Sequence, residues 1–162
     1  MSGSVLVTGG AGFIGSHVCE AYRDRGWEVT AVDDLSSGRR ENVPEGVELR
    51  EIDVRDEALA ELFDDRDFDL VNHQAAQIDV RVSVDRPRHD ASVNVDGLLH
   101  VLEAARINDV DRLLFASSAC IYRQEHDDLN RFSEDQAIPA NPHSTYGWAK
   151  ILGEVACQAY HQ

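Results

Sequence analysis

Tyr146 and Lys150 are the residues of this chain whose types and spacing offer acid–base chemistry. Four positions apart on a helical pattern, they project from one face about 6 Å apart along the axis. A tyrosine that takes a proton at neutral pH must lose about three units from its ordinary value of ~10, or roughly 4 kcal/mol. A neighbouring ammonium favours the phenolate and supplies part of that. The spacing alone recurs by chance. Composition singles it out: Lys150 is the only lysine, beside fourteen arginines. A broad guanidinium does not substitute for a compact ammonium that must reach a phenol and a ribose hydroxyl together. Upstream, Ala116-Ser117-Ser118-Ala119 closes a strand-like run. A serine hydroxyl there can orient a substrate hydroxyl and the tyrosine; read alone, it satisfies loop backbone. Cys120, next in line, reads as a core residue, with a second acid–base group as the alternative.

A second constellation lies at the other end of the chain. Thr8-Gly9-Gly10-Ala11-Gly12-Phe13-Ile14-Gly15-Ser16-His17 follows the apolar run Val5-Leu6-Val7 and precedes an amphipathic stretch. A strand, a glycine-rich turn and a helix in that order place a dinucleotide's pyrophosphate on a helix N-terminus. Gly9 and Gly12 allow a tight turn close to the phosphates, and Gly15 allows close helix–strand packing. Val32-Asp33-Asp34 ends the next strand-like run. An acidic side chain there hydrogen-bonds the adenosine ribose and repels a 2′-phosphate, which favours NAD over NADP. Arg39 and Arg40 follow and would suit such a phosphate, but Asp33 stands in the way. The plainer role for Asp33 is that of a turn residue; the glycine turn upstream outweighs it.

The elements that must position these groups are legible as alternation. Strand-like runs recur at 5–7, 29–32, 47–52, 70–72 and 113–116, with helical patterns at 14–25, 57–63, 92–108 and 146–160. Alternating strands and helices predict an α/β fold with a parallel, doubly wound sheet and right-handed crossovers. The polar stretch 123–143, with Pro139 and Pro142, is the one long irregular segment, and a loop of that length in a compact domain is usually functional.

With 162 residues the chain has room for one domain with a real core. No run is apolar enough to span a bilayer, and the first residues lead straight into a strand rather than a signal peptide. A net charge of −15 disfavours nucleic acid and anionic membranes as partners. An acidic, lysine-poor surface suits concentrated salt, where the Debye length falls to ~3 Å and self-repulsion is screened; the alternative is an ordinary acidic protein. Cys19, Cys120 and Cys157 are odd in number and far apart, which speaks against a disulfide framework or a zinc site and for a reducing cytoplasm. The seven histidines show no metal-ligand spacing, and His73 reads as structural. No metal is expected.

Taken together, these motifs resemble the extended short-chain dehydrogenase/reductase superfamily, in particular its nucleotide-sugar epimerases and dehydratases. The segment TGGAGFIGSH matches the family's glycine motif, which implies that Gly9, Gly12, Phe13, Ile14 and Gly15 line the cofactor. Asp33-Asp34-Leu35-Ser36-Ser37-Gly38 is similar to the second-strand signature of UDP-glucose 4-epimerases, which adds Asp33, Asp34, Leu35, Ser37 and Gly38. Ile52-Asp53-Val54-Arg55-Asp56 resembles the segment that contacts adenine, through Asp53 and Val54. His73-Gln74-Ala75-Ala76-Gln77 resembles the motif on the nicotinamide side, through Gln74, Ala75 and Ala76, and Asn94 falls where the family keeps an asparagine. Ser118, Tyr146 and Lys150 match the catalytic triad, the last two also contacting the cofactor. Ala119-Cys120 stands where the dehydratases carry an acidic pair, which favours epimerisation. SSACIY is also similar to GDP-mannose 3,5-epimerases, in which the cysteine is an acid–base catalyst. Arg123 replaces the usual glycine.

The resemblance implies reversible oxidation of a UDP-hexose. Tyr146, helped by Ser118, takes the 4-hydroxyl proton while C4 gives hydride to tightly held NAD, and the 4-keto sugar then turns over and is reduced on its other face. Lys150 lowers the tyrosine pKa and binds the nicotinamide ribose. Full-length relatives continue into further strands and a sugar-nucleotide-binding domain, so this chain is expected to be a Rossmann domain truncated before both, with little or no activity by itself. A homodimer through 92–108 and 146–160 is also implied. The competing readings are a catalytically silent NAD-binding module and another oxidoreductase that releases its cofactor.

Overall fold

A computed structural model describes residues 3–122 and 144–161. Five strands, β1 (Ser4–Thr8), β2 (Glu28–Asp33), β3 (Glu48–Glu51), β4 (Leu70–His73) and β5 (Arg112–Phe115), form one all-parallel sheet in the order β3-β2-β1-β4-β5. The order reverses between β1 and β4, and in open α/β sheets ligands bind at such a switch point, outside the carboxyl ends of the strands. The alternation anticipated a parallel sheet, and each strand runs within a residue or two of its expected place.

Side-chain alternation along the strands sends residues to two cores. Leu6, Val32 and Val71 face one side, where α2 (Glu57–Asp64) and α5 (Gly97–Ile107) cover them with Leu59, Leu62, Phe63, Val101 and Ala105. Val5, Val7, Val29 and Ala31 face the other, packed by Cys19 of α1 (Phe13–Arg23) together with Val18 and Tyr22. Strands buried on both faces are continuous apolar runs, as Val5-Leu6-Val7 is. The sheet's edges differ: β3 presents exposed Glu48, Arg50 and Glu51, whereas exposed Leu114 lies on β5. Charge on an edge strand discourages further pairing, and β5 lacks it at its centre.

The expected helix 92–108 is a composite. The chain turns through α3 (Val80–Asp85) and α4 (Pro87–Ala91), makes a π-helical turn over Ser92–Asp96, and only then enters α5. Asp79 caps α3 by accepting from the Arg81 amide at 2.8 Å, and Pro87 occupies the first turn of α4, where its missing N–H is harmless. The last helix, α6 (Thr145–Tyr160), is capped by Ser144, which accepts from the Gly147 amide at 3.1 Å. Arg123 and the irregular stretch 123–143 lie outside the described residues.

Candidate active site

The glycine turn is built from main chain. Gly9 has a φ of +69°, and a side-chain carbon there would sit 2.7 Å from the Ala75 nitrogen. A side-chain carbon at Gly15 would run into the Gly9 carbonyl oxygen. Both positions therefore demand glycine, one for conformation and one for space. Gly12 begins α1 without a side-chain cap and without a carboxylate in the first turn. The amides of Phe13, Ile14 and Gly15 have no partner within the helix, and the positive end of its dipole is uncompensated. Phe13 and Ile14 are exposed, so the approach is open. A helix end of this kind suits an anion.

Asp33 is buried at the end of β2 and accepts from the Ala11 amide at 3.0 Å and the Leu35 amide at 2.9 Å. Each carboxylate oxygen keeps a lone pair for a ribose hydroxyl. Gly38 lies against it, for a side-chain carbon there would meet Asp33 Oδ1 at 2.7 Å. Leu35 takes a left-handed φ of +57°, held by the bond its amide donates to Asp33. Asp34 is occupied by Ser36, whose amide and hydroxyl both donate to it, at 2.9 and 2.6 Å. Ser37 follows in the same turn. Asn42, which the sequence did not single out, donates to the Ala11 carbonyl at 2.8 Å and braces the turn from outside.

Past the switch point, Gln74, Ala75 and Ala76 leave β4 beside the glycine turn. Thr8 Oγ1 accepts from the Ala75 amide at 3.2 Å and lies 2.7 Å from Nδ1 of His73. His73 is fully buried and stacks on Phe115, with ring centroids 6.1 Å apart. Burial pushes its pKa down to about 3, so it is neutral and structural, as expected. Gln74 donates to Asn72 at 2.7 Å. Asn94 is buried in the π-helical turn, where it accepts from the Gln77 amide at 2.9 Å and donates to the Gln77 carbonyl at 3.0 Å. Such turns concentrate at functional sites. Asp53 is engaged by Arg55 through both carboxylate oxygens, which holds its pKa below the usual range, and Val54 is buried against Gly97.

Ser118, Tyr146 and Lys150 come from the turn after β5 and from α6. Ser118 precedes a short 3₁₀ turn, Ala119–Ile121, and its hydroxyl accepts from the Cys120 amide at 3.2 Å. Tyr146, in the first turn of α6, lies near enough to Ser118 for that hydroxyl to favour its phenolate. One turn on, Lys150 is 4% exposed, donates to the Ala116 carbonyl at 2.8 Å and lies over the Phe115 ring at 4.7 Å. Burial pulls its pKa down to about 8, opposed by the charge of Asp90. Two expectations need correction. Cys120 is exposed rather than core, because the 3₁₀ turn sends Ile121 inward and its neighbour out. The Tyr146 phenol is raised rather than lowered within this chain: burial pushes it up, and the Ser118 hydroxyl pulls only partly back. The Lys150 ammonium, aimed at Ala116 and 5.8 Å from the Tyr146 ring centroid, does not outweigh that burial by itself.

All three expected groups thus open on one carboxyl edge of the sheet. No three histidine, cysteine or carboxylate side chains among the described residues gather as a metal site, and no helix there is long and apolar enough to cross a membrane.

Comparison with known proteins agrees with this geometry. Residues 5–162 match the NAD dependent epimerase/dehydratase family. The chain is similar to a putative UDP-glucose 4-epimerase of Methanocaldococcus jannaschii, 39% identical over 98% of this chain and 51% of that protein. It is also similar to the UDP-glucose 4-epimerase of Mycolicibacterium smegmatis, 37% identical over 96% of this chain and 50% of its relative. Among solved structures, the Thermus thermophilus UDP-glucose 4-epimerase complexed with NAD superposes with a TM-score of 0.90 at 43% identity, covering 97% of this chain and 50% of that one. The Thermotoga maritima UDP-glucose 4-epimerase with UDP-glucose also gives 0.90, at 35% identity and the same two coverages of 97% and 50%. The chain spans about half the length of these relatives. With its Rossmann-type parallel sheet, its glycine turn and a match that runs from β1 through α6, it belongs to the NAD dependent epimerase/dehydratase family.

Proposed function

We propose that this chain binds NAD across the crevice between the β1 and β4 loops and carries the catalytic trio of a nucleotide-sugar epimerase acting on a UDP-hexose, as UDP-glucose 4-epimerases do. One observation carries the reading: an uncapped helix end, a buried carboxylate closing β2 and a Ser–Tyr–Lys corner share one edge of one sheet. The phosphates would lie on the amides of Phe13, Ile14 and Gly15, and the adenosine ribose on Asp33. Bound NAD supplies reversible hydride uptake from C4 of the sugar. Tyr146 takes the O4 proton as the C4–H bond breaks, leaving a 4-keto sugar, and returns it to O4 when hydride adds to the other face. Ser118 holds the O4 hydroxyl in line with the phenol. Lys150 engages the nicotinamide ribose and, with the positive ring, offsets the burial that opposes the phenolate.

The Tyr146 phenol, pushed up by burial, favours a second reading, a catalytically silent NAD-binding module. The exposed thiol of Cys120 beside Ser118 supports a third, epimerisation of the GDP-mannose 3,5 type with Cys120 as acid–base group. Retention of NAD and conversion of UDP-galactose in concentrated salt, with Tyr146→Phe as control, separate the first two, and conversion of GDP-mannose that is lost in Cys120→Ser marks the third. Turnover lost at least about a hundredfold in the variant supports the epimerase, binding without turnover supports the module, and no NAD binding removes both.

The net charge of −15 with a single lysine supports adaptation to salt, and three free cysteines suit a reducing cytoplasm. Exposed Leu99 and Ile107 on α5, with Trp148 and Val155 on α6, support a homodimer through 92–108 and 146–160. Melting and light scattering across a salt series test these readings: a salt-indifferent melting temperature removes the first, and a monomeric mass the dimer.

A further inference from the structure

Asp90 is a buried carboxylate to which the reading above gives no part. It sits in α4, fully buried, and Oδ1 accepts from Gln77 Nε2 at 2.8 Å and from Asn94 Nδ2 at 3.1 Å. Oδ2 is buried with no hydrogen-bond partner. A carboxylate so placed is costly unless a positive charge compensates it. The helix α4 packs directly on α6, which carries Lys150, and the two charges oppose each other's burial in both directions.

We infer that Asp90 is a positioning residue for the proposed reaction: its carboxylate fixes the amides of Asn94 and Gln77 and supplies the negative charge that keeps the Lys150 ammonium protonated. The inference rests on the functional reading in that Lys150 must be charged to hold a ribose hydroxyl and favour a phenolate. The two hydrogen bonds to Oδ1 determine which way each amide points, and the Asn94–Gln77 pair in turn seats the loop leaving β4. Lys150 itself is faced by the Phe115 ring and the Ala116 carbonyl from the β5 end, by neutral His73 from β4 and by Tyr146 on its own helix. Among the described residues, Asp90 is the charge that raises it. Burial pushes the Asp90 pKa above the usual carboxylate range, and the Gln77 and Asn94 hydrogen bonds and the charges of His89 and Lys150 pull it part of the way back toward the ionised form. It also weakly opposes ionisation of Tyr146, so activity mixes two effects of opposite sign and the lysine must be read directly.

A single lysine makes that reading simple, since protein labelled with [13Cε]lysine gives one side-chain signal. Asp90→Asn can keep the Oδ1 acceptor, and it removes the charge while placing an amide NH2 where Oδ2 stood. The Lys150 titration midpoint, near 8 in the parent, should fall by about one unit or more in folded D90N. An unchanged midpoint in a folded variant overturns the proposal. If D90N does not fold, the parent decides: a midpoint near 8 or above upholds the compensation, and one below about 7 overturns it. The titration requires neither dinucleotide nor sugar. A chain that shows the shift but does not bind NAD therefore refutes the functional reading and leaves the Asp90–Lys150 coupling standing.

Discussion

The glycine turn and the Ser118–Tyr146–Lys150 corner lie along the same sheet edge, yet they are made in opposite ways. The turn is main chain: an uncapped helix end, a left-handed Gly9, and a Gly15 with no room for a methyl group. Its partial charges come from peptide dipoles and do not titrate. The corner is side chain, drawn from the turn after β5 and from α6, and it holds a buried ammonium whose pKa burial has pulled down to about 8. The difference teaches where each part of the site is vulnerable. The first fails by steric change and ignores pH, whereas the second stores electrostatic cost in the fold and answers to it.

The largest effect expected from this contrast is at Gly15. Gly15→Ala drives a methyl group into the Gly9 carbonyl, a backbone atom that cannot step aside. The strain should cost about 3 kcal/mol or more in stability, read by thermal melting, and dinucleotide binding should fall below detection in calorimetry. A near-parental variant would break the contrast at its stronger end.

Lys150→Met acts by charge instead: losing the buried ammonium gives the free chain an advantage of about 1–2 kcal/mol at neutral pH, set against a cost, constant above neutral pH, of leaving the Asp90 carboxylate uncompensated. The sign follows from linkage. Folding lowers the Lys150 pKa from 10.5 to about 8, so the unfolded chain binds more protons between those values. Parental stability therefore rises with pH through that window, and the burial cost is fully present below it. The variant's advantage should be flat below pH 8 and should shrink toward pH 10.5. Melting curves across that range check it; an advantage independent of pH would point to packing alone.

Smallest is Asn42→Ala. It removes one neutral hydrogen bond to Ala11, 2.8 Å long, and should cost about 1 kcal/mol with a severalfold weaker hold on dinucleotide at every pH. Calorimetry at two pH values sharpens the contrast if the loss is the same at both.

The same division explains what could be read in the sequence. The turn was legible because its chemistry is local: glycines at fixed offsets between an apolar run and an amphipathic helix admit few other structures. Asp33 was legible for the same reason. The corner was legible only as residue types, since nothing along the chain indicates that α4, with buried Asp90, packs on the helix that carries Lys150. Val80, Val82 and Val84 alternate with polar residues as a strand does, yet they form α3, with Val80 and Val84 exposed. Tertiary context overrode a period-2 pattern there. The π-helical turn that seats Asn94 has no signal in residue spacing. Cys120 misled because its type favours interiors, whereas the 3₁₀ turn decides which of three neighbours goes inside.

The contact between Gly9 and the Ala75 backbone has a further consequence. Where the loops leaving β1 and β4 meet main chain to main chain, rotamer changes cannot widen the gap, and only a hinge in the sheet itself would do so. The host therefore presents a gate of fixed gauge. The ordering entropy of association falls on the long, flexible guest, which must straighten itself to fit.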